Sequence, residues 1–166
     1  MQKQRKCSYC GSEDVDIRED QVEVSEPFAE VNTVTVKMVV CNTCGFAEDH
    51  ESNDCVLQDA LAVCKQSSMV HTLTYLNAQG YTNASMERSL GLPARTLARW
   101  KNEDIVPSAA ALALMRFIRT FPWLLRVAEK EFDQEKAHEV VLSEGEKEIR
   151  KRNHQDMSDC KNIELI

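Results

Sequence analysis

The sequence predicts an α+β protein of two domains: a small antiparallel β, zinc-ribbon-like domain over residues 1–50, then an all-α, five-helix helix-turn-helix domain over 68–132. Three observations predict it. Two Cys-x2-Cys-Gly knuckles bracket a β-branched stretch in the first fifty residues. After Ser52 the apolar spacing changes from two to three or four. Between Tyr81 and Lys101 the cap, turn and breaker residues of two short helices follow one another. A linking helix is expected over 51–67, and a charged tail, partly helical or disordered, over 133–166.

Composition narrows the function. With 43% hydrophobic and 28% charged residues, the chain has the make-up of a water-soluble globular protein. It carries no run of 18 apolar residues, which excludes a spanning helix. Met1 to Lys6 is polar, so no secretory signal is expected and a cytoplasmic location is. In that setting seven cysteines favour metal or reduced thiols over disulfides. The net charge of −7 is unevenly spread. Residues 1–50 carry 5 basic and 10 acidic side chains, residues 51–128 carry 8 and 6, and residues 129–166 carry 7 and 11. Only the middle is positive, and weakly, so a nucleic-acid role there calls for a homodimer that doubles the contacts on a two-fold, palindromic site.

The first domain holds the strongest chemical signal. Cys7-Ser8-Tyr9-Cys10-Gly11 and Cys41-Asn42-Thr43-Cys44-Gly45 each place two thiolates on one tight turn, and the glycine lets the backbone fold toward sulfur. Four soft ligands suit one tetrahedral, structural Zn2+ per chain, held by Cys7, Cys10, Cys41 and Cys44. The alternative is thiol–disulfide chemistry, but redox Cys-x2-Cys motifs come singly at a helix start, whereas these are paired. Val15 and Ile17 alternate with charges, as do Val22 and Val24, and Val34 to Val39 is β-branched; both stretches read as strands. About 50 residues bury too little to fold alone, so metal binding is expected to supply the stability.

In the linking helix Val56, Leu57, Ala60, Leu61 and Cys64 share one face, after caps at Ser52-Asn53-Asp54. Cys55 and Cys64 lack metal spacing and read as ordinary thiols. Residues 68–80 form the next helix, with Val70, Leu73 and Leu76 inward and Gly80 closing it. Thr82 caps a helix over Asn83–Leu90, Gly91 suits the left-handed position after it, and Pro93 opens a helix over Ala94–Lys101. In that second helix Leu97 points one way with Ala94 and Trp100; Arg95, Arg99 and Asn102 point the other. Two arginines four apart on an exposed helix face suit guanine recognition in the major groove. Ser108 caps a helix to Phe121 with Leu112, Met115 and Ile118 buried, and Pro122 starts another carrying Trp123, Leu125 and Ala128. In the tail the last helix can continue past Glu129, Ser143 and Glu146 form a capping box, and disorder is expected beyond about Asn153, with Cys160 a free thiol.

Tyr81-Thr82-Asn83, Met86, Leu90-Gly91-Leu92 and Arg95-Thr96-Leu97-Ala98-Arg99-Trp100 resemble the helix-turn-helix of phage-repressor (Cro or XRE) domains. Glu87 departs from that pattern, which usually has a small residue there, and its carboxylate is expected to reach outward. With Pro107, Met115-Arg116-Phe117-Ile118 and Phe121-Pro122-Trp123-Leu124-Leu125 added to the knuckles, residues 7–128 are similar to the MqsA/YgiT-type family. That family joins a two-knuckle zinc domain to an XRE-type domain in this order. The resemblance implies a dimeric, autorepressing antitoxin: zinc on the four knuckle cysteines, dimerisation through the helical domain, and a toxin bound at the zinc domain. It puts Arg95 and Arg99 at the two base-reading positions, the first usually an asparagine in the family. The sequence therefore predicts a DNA-binding transcriptional repressor and no enzyme. Arg95, Thr96 and Arg99 read bases while Thr82, Asn83 and helix N-termini hold phosphates of double-stranded DNA. The alternative is a protein-interaction module whose zinc domain neutralises a toxin or binds another protein.

Overall fold

The computed structural model describes residues 5–161, with side chains to Lys151. It is α+β: a three-stranded antiparallel sheet followed by six helices. The Cys160 side chain and the residues from 162 on, where part of the expected tail disorder falls, lie outside the described part.

Strand β1 (Val15–Val24) and strand β2 (Asn32–Cys41) pair antiparallel from Val15↔Cys41 to Val24↔Asn32. A short β3 (Ala47–Asp49), which the sequence pattern did not announce, pairs with the far end of β2. The β-branched run of β2 is what the sheet buries, with Val36 and Val39 enclosed, while β1 is exposed along most of its length. So thin a core needs a second layer, and the first helix supplies it.

That helix, α1 (Asn53–Ala78), is continuous: the stretches expected at 51–67 and 68–80 are one 26-residue element. Ser52 is its N-cap residue but makes no capping side-chain bond. The buried Asn53 faces the sheet instead. Its Oδ1 accepts from the Lys37 N–H at 2.8 Å, and its Nδ2 donates to the Lys37 carbonyl at 2.8 Å. An asparagine amide thus extends the ladder of β2 by one rung and fastens helix to sheet. Ala60 and Cys64 are buried and Leu57 and Leu61 half-buried, whereas Val56 is exposed; Met69, not Val70, joins Leu73 and Leu76 in the core.

The β1–β2 loop closes over the other end of this contact. Pro27 O accepts from the fully buried Ser68 hydroxyl at 2.5 Å, and the Glu26 carboxylate pairs with Arg116 at 2.7 Å. The Arg119 guanidinium sits 4.1 Å from the Phe28 ring centroid and 4.6 Å from that of Tyr75.

The remaining helices are α2 (Asn83–Leu90), α3 (Thr96–Lys101), α4 (Ala109–Thr120) and α5 (Leu124–Glu129). They enclose one core of Met69, Leu73, Leu76, Met86, Leu97, Leu112, Met115, Ile118 and Leu125. Ser108 caps α4 as expected, its hydroxyl accepting from the Ala111 N–H. The last helix, α6 (Gln134–Lys161), is separate from α5, not a continuation of it. Glu131 and Phe132 adopt positive φ, and Asp133 restarts the helix by accepting the Lys136 N–H. Because α6 runs unbroken to Lys161, Ser143 and Glu146 lie inside it and form no capping box; the backbone expected to be disordered after Asn153 is helical to that point.

Candidate metal centre and nucleic-acid interface

The two knuckles meet at one end of the sheet. Cys41 ends β2, and the β1–β2 pairing brings Val15, just after the first knuckle, opposite it. Each knuckle is closed the same way: Gly11 N–H donates to Cys7 O and Gly45 N–H to Cys41 O, both at 2.9 Å. Both glycines stand at φ +75°, a left-handed conformation in which a side chain is strained. Stacked Tyr9 and Phe46 rings, 5.7 Å apart, and a 2.8 Å Ser12–Thr43 hydroxyl pair tie one turn to the other.

The four sulfurs of Cys7, Cys10, Cys41 and Cys44 all lie within 4.8 Å of one another. Cys7 and Cys44 are 3.7 Å apart and Cys10 and Cys41 3.6 Å apart, across the two knuckles. Cys7 and Cys41 are buried beneath the site; Cys10 and Cys44 face outward. The sulfurs do not share charge evenly. The Cys41 thiol is pulled down to about 6, first by the Cys44 backbone N–H and then, against the desolvation that raises it, by that of Thr43. At Cys44 the Phe46 N–H pulls down too, but desolvation and the neighbouring sulfurs prevail and push it up to about 12. At Cys10 the Ser12 N–H favours the thiolate, and desolvation with Cys41 and Cys7 outweighs it, so its thiol is raised. A cluster of this kind can hold a metal ion, and it brings together all four expected ligands.

In the helical part, α2, a turn and α3 hold the expected DNA-contacting residues. Thr82 caps α2, its Oγ1 accepting from the Ser85 N–H at 3.1 Å. Asn83 is drawn inward: its Oδ1 accepts from Asn77 Nδ2 at 2.9 Å. Gly91 takes the left-handed position at φ 65°. Here the structure corrects the sequence reading. Helix α3 starts at Thr96, not at Ala94, and Arg95 is its N-cap residue in the left-handed conformation, φ 65°. Ala94, expected inward, is exposed; Leu97 is fully buried and Trp100 half-buried. Arg95 and Arg99 remain exposed, and among the described residues neither guanidinium has a partner. Arg88, on the outer side of α2, is likewise exposed, which the sequence reading did not single out. Thr96 is half-buried beside them.

Glu87 overturns its expectation altogether. Instead of reaching outward it is buried, 7% exposed, under the start of α3. Its Oε2 accepts from the Arg95 N–H at 3.0 Å and its Oε1 from the Leu97 N–H at 2.8 Å. Arg95 offers no side-chain acceptor to its own helix, so Glu87 of α2 does that work from across the turn. Helix α3 is also held to α1, by Gln66 Nε2 donating to Trp100 O at 2.7 Å and Lys101 Nζ to Asn77 Oδ1 at 2.9 Å.

No helix of the described residues is long and apolar enough to cross a membrane. Comparison of the chain with protein-family models, with curated proteins and with solved structures returned no match.

Proposed function

We propose that this chain is a sequence-specific DNA-binding repressor, cytoplasmic, whose zinc-held sheet is structural, in the manner of the MqsA/YgiT-type antitoxins it resembles. One observation carries the reading: two exposed arginines without a side-chain partner among the described residues, Arg95 at the start of a short helix and Arg99 one turn on, presented by a helix–turn–helix arrangement capped at each corner. Arginine donates in pairs to guanine O6 and N7, and a helix of this length fits the major groove. Arg95, Thr96 and Arg99 read bases in this scheme. Thr82 and the N-terminus of α2 take a phosphate, while Asn83 shapes that corner through its bond to Asn77.

Zinc fits the four thiols on their chemistry and spacing. A tetrahedron with metal–sulfur bonds of about 2.3 Å has edges of about 3.8 Å. The 3.6 and 3.7 Å pairs fall close to that. Thiolates alone fill such a site, so the ion holds the knuckles together and leaves no position for a reacting water. A homodimer on a palindromic operator is supported by α4, whose outward Leu114 and Phe117, with Phe121 following, form an apolar stripe at helical spacing. The acidic β1 edge, with Asp16, Glu19, Asp20 and Glu23 exposed, favours a second role, binding a basic protein such as a ribonuclease toxin at the zinc domain.

The test is a mobility-shift titration on a duplex selected from randomised DNA. Arg99→Ala is expected to weaken the selected duplex by about 1–3 kcal/mol and to relax the preference at one base pair. Wild-type affinity for every duplex in that variant would sink the assignment.

A further inference from the structure

We infer that Glu87 is a positioning residue for sequence recognition: its buried carboxylate sets the direction in which Arg95 leaves the protein, and so which base pair Arg95 selects. The inference rests on the DNA-reading function proposed above. Arg95 holds a left-handed backbone, which is unfavourable for a residue with a Cβ. Two bonds keep it there, from the Arg95 N–H to Glu87 Oε2 at 3.0 Å and from the Leu97 N–H to Glu87 Oε1 at 2.8 Å. They straddle Thr96, so the carboxylate fixes the whole first turn of α3, not one bond of it.

The chemistry needs a carboxylate in particular. Both oxygens accept, and the two backbone N–H groups point at one each; an amide of the same length accepts with one end and donates with the other. The negative charge also meets the positive end of α3. Contact by this helix with DNA falls to the side chains of Arg95, Thr96 and Arg99. A small residue at position 87 lets two helices approach; a glutamate there instead makes the second helix depend on the first for its cap.

A thermodynamic cycle tests this on the full-length protein, using a selected duplex and its single-base variants. Glu87→Gln is expected to lose about tenfold of the discrimination at the base pair that Arg95→Ala no longer reads, while discrimination through Arg99 is kept. In the Arg95→Ala background, Glu87→Gln is expected to cause no further loss at that base pair. A folded Glu87→Gln protein with wild-type preference, or losses that simply add, would overturn the inference. Hydrogen exchange on the wild type covers the case in which the glutamine variant does not fold. Slow exchange at the Arg95 and Leu97 amides is expected, and fast exchange at both sinks the capping on which the claim stands. A wild type with no sequence preference at all would instead overturn the repressor reading, an outcome separate from either result on Glu87.

Discussion

At Gly11 and Gly45 one atom decides the local structure. Each sits at φ +75° directly after its knuckle, and a methyl group there would meet nothing within 4 Å. The cost of a substitution is therefore backbone strain alone, about 1–2 kcal/mol for an L-residue in the left-handed region. Gly45→Ala is expected to lower the unfolding free energy by that amount and to weaken metal retention in a competition with a chromogenic chelator. Gly45→Asn should lose less, because asparagine tolerates the conformation. Spectator residues show the limit of reading at this scale. The cysteines were legible because ligand spacing is a local code, and Thr82, Gly91 and Ser108 because caps are too. Asn53 and Glu87 were not, since each bonds a backbone group on another element, 16 and 8 or 10 residues away. Neither a helical wheel nor a turn signature contains that information.

Elements follow the same division. Strand existence, the two short helices and α4 could be read from periodicity and breakers, with α2 found at its expected bounds, whereas the extents of α1, α3 and α6 could not. Helix α1 passes through the expected boundary at 67–68 because Ser67 and Ser68 do not break a helix, and Ser68 finds its partner in Pro27 O, out of reach of local pattern. Helix α6 shows how such an element is docked. Val140 is buried against the body, and Glu144 pairs with Arg126 of α5 and with Lys147 in its own helix. The Lys147 side chain first, and Arg126 with it, holds the Glu144 carboxyl below its ordinary range despite the burial that opposes them. A carboxyl depressed in the folded state stabilises fully above its unfolded value, and that contribution is lost as pH falls through the lower folded value. Docking of α6 is thus expected to be constant at neutral pH and to weaken on acidification below 4.5. Amide exchange along Gln134–Glu148 followed from pH 7 to pH 3 checks it. Glu144→Gln should start weaker at neutral pH and lose that portion of the acid sensitivity; an identical pH profile in the variant would contradict the assignment.

Across the whole molecule, the sheet and the helices meet through polar ties as much as through apolar contact. Asn53 joins α1 to β2, Glu26 joins the β1–β2 loop to α4 through Arg116, and Arg116 also donates to Ser68. The pair Glu26–Arg116 has side chains only 16% and 21% exposed, so removing one partner leaves the other charge poorly solvated. Glu26→Ala is expected to cost about 2 kcal/mol of stability, a charged hydrogen bond's worth. The sheet itself encloses little, Val36 and Val39 apart from the cysteines, while the nine-residue helical core contains no knuckle residue. Stability should therefore divide when the metal is removed. With a strong chelator present, the amide resonances of β1 and β2 are expected to collapse, because on the reading proposed above a bound zinc contributes the folding free energy that the strands lack. Signals from Leu73, Leu97, Met115 and Ile118 should persist, as their packing does not involve the knuckles. Ser68 and Arg116 lie at the seam and should shift without broadening, since the loop they hold is released while α1 and α4 stay packed. Loss of the helical signals together with the sheet would mean that the two parts fold as one cooperative unit, with the loop contacts strong enough to carry the metal's contribution into the helices.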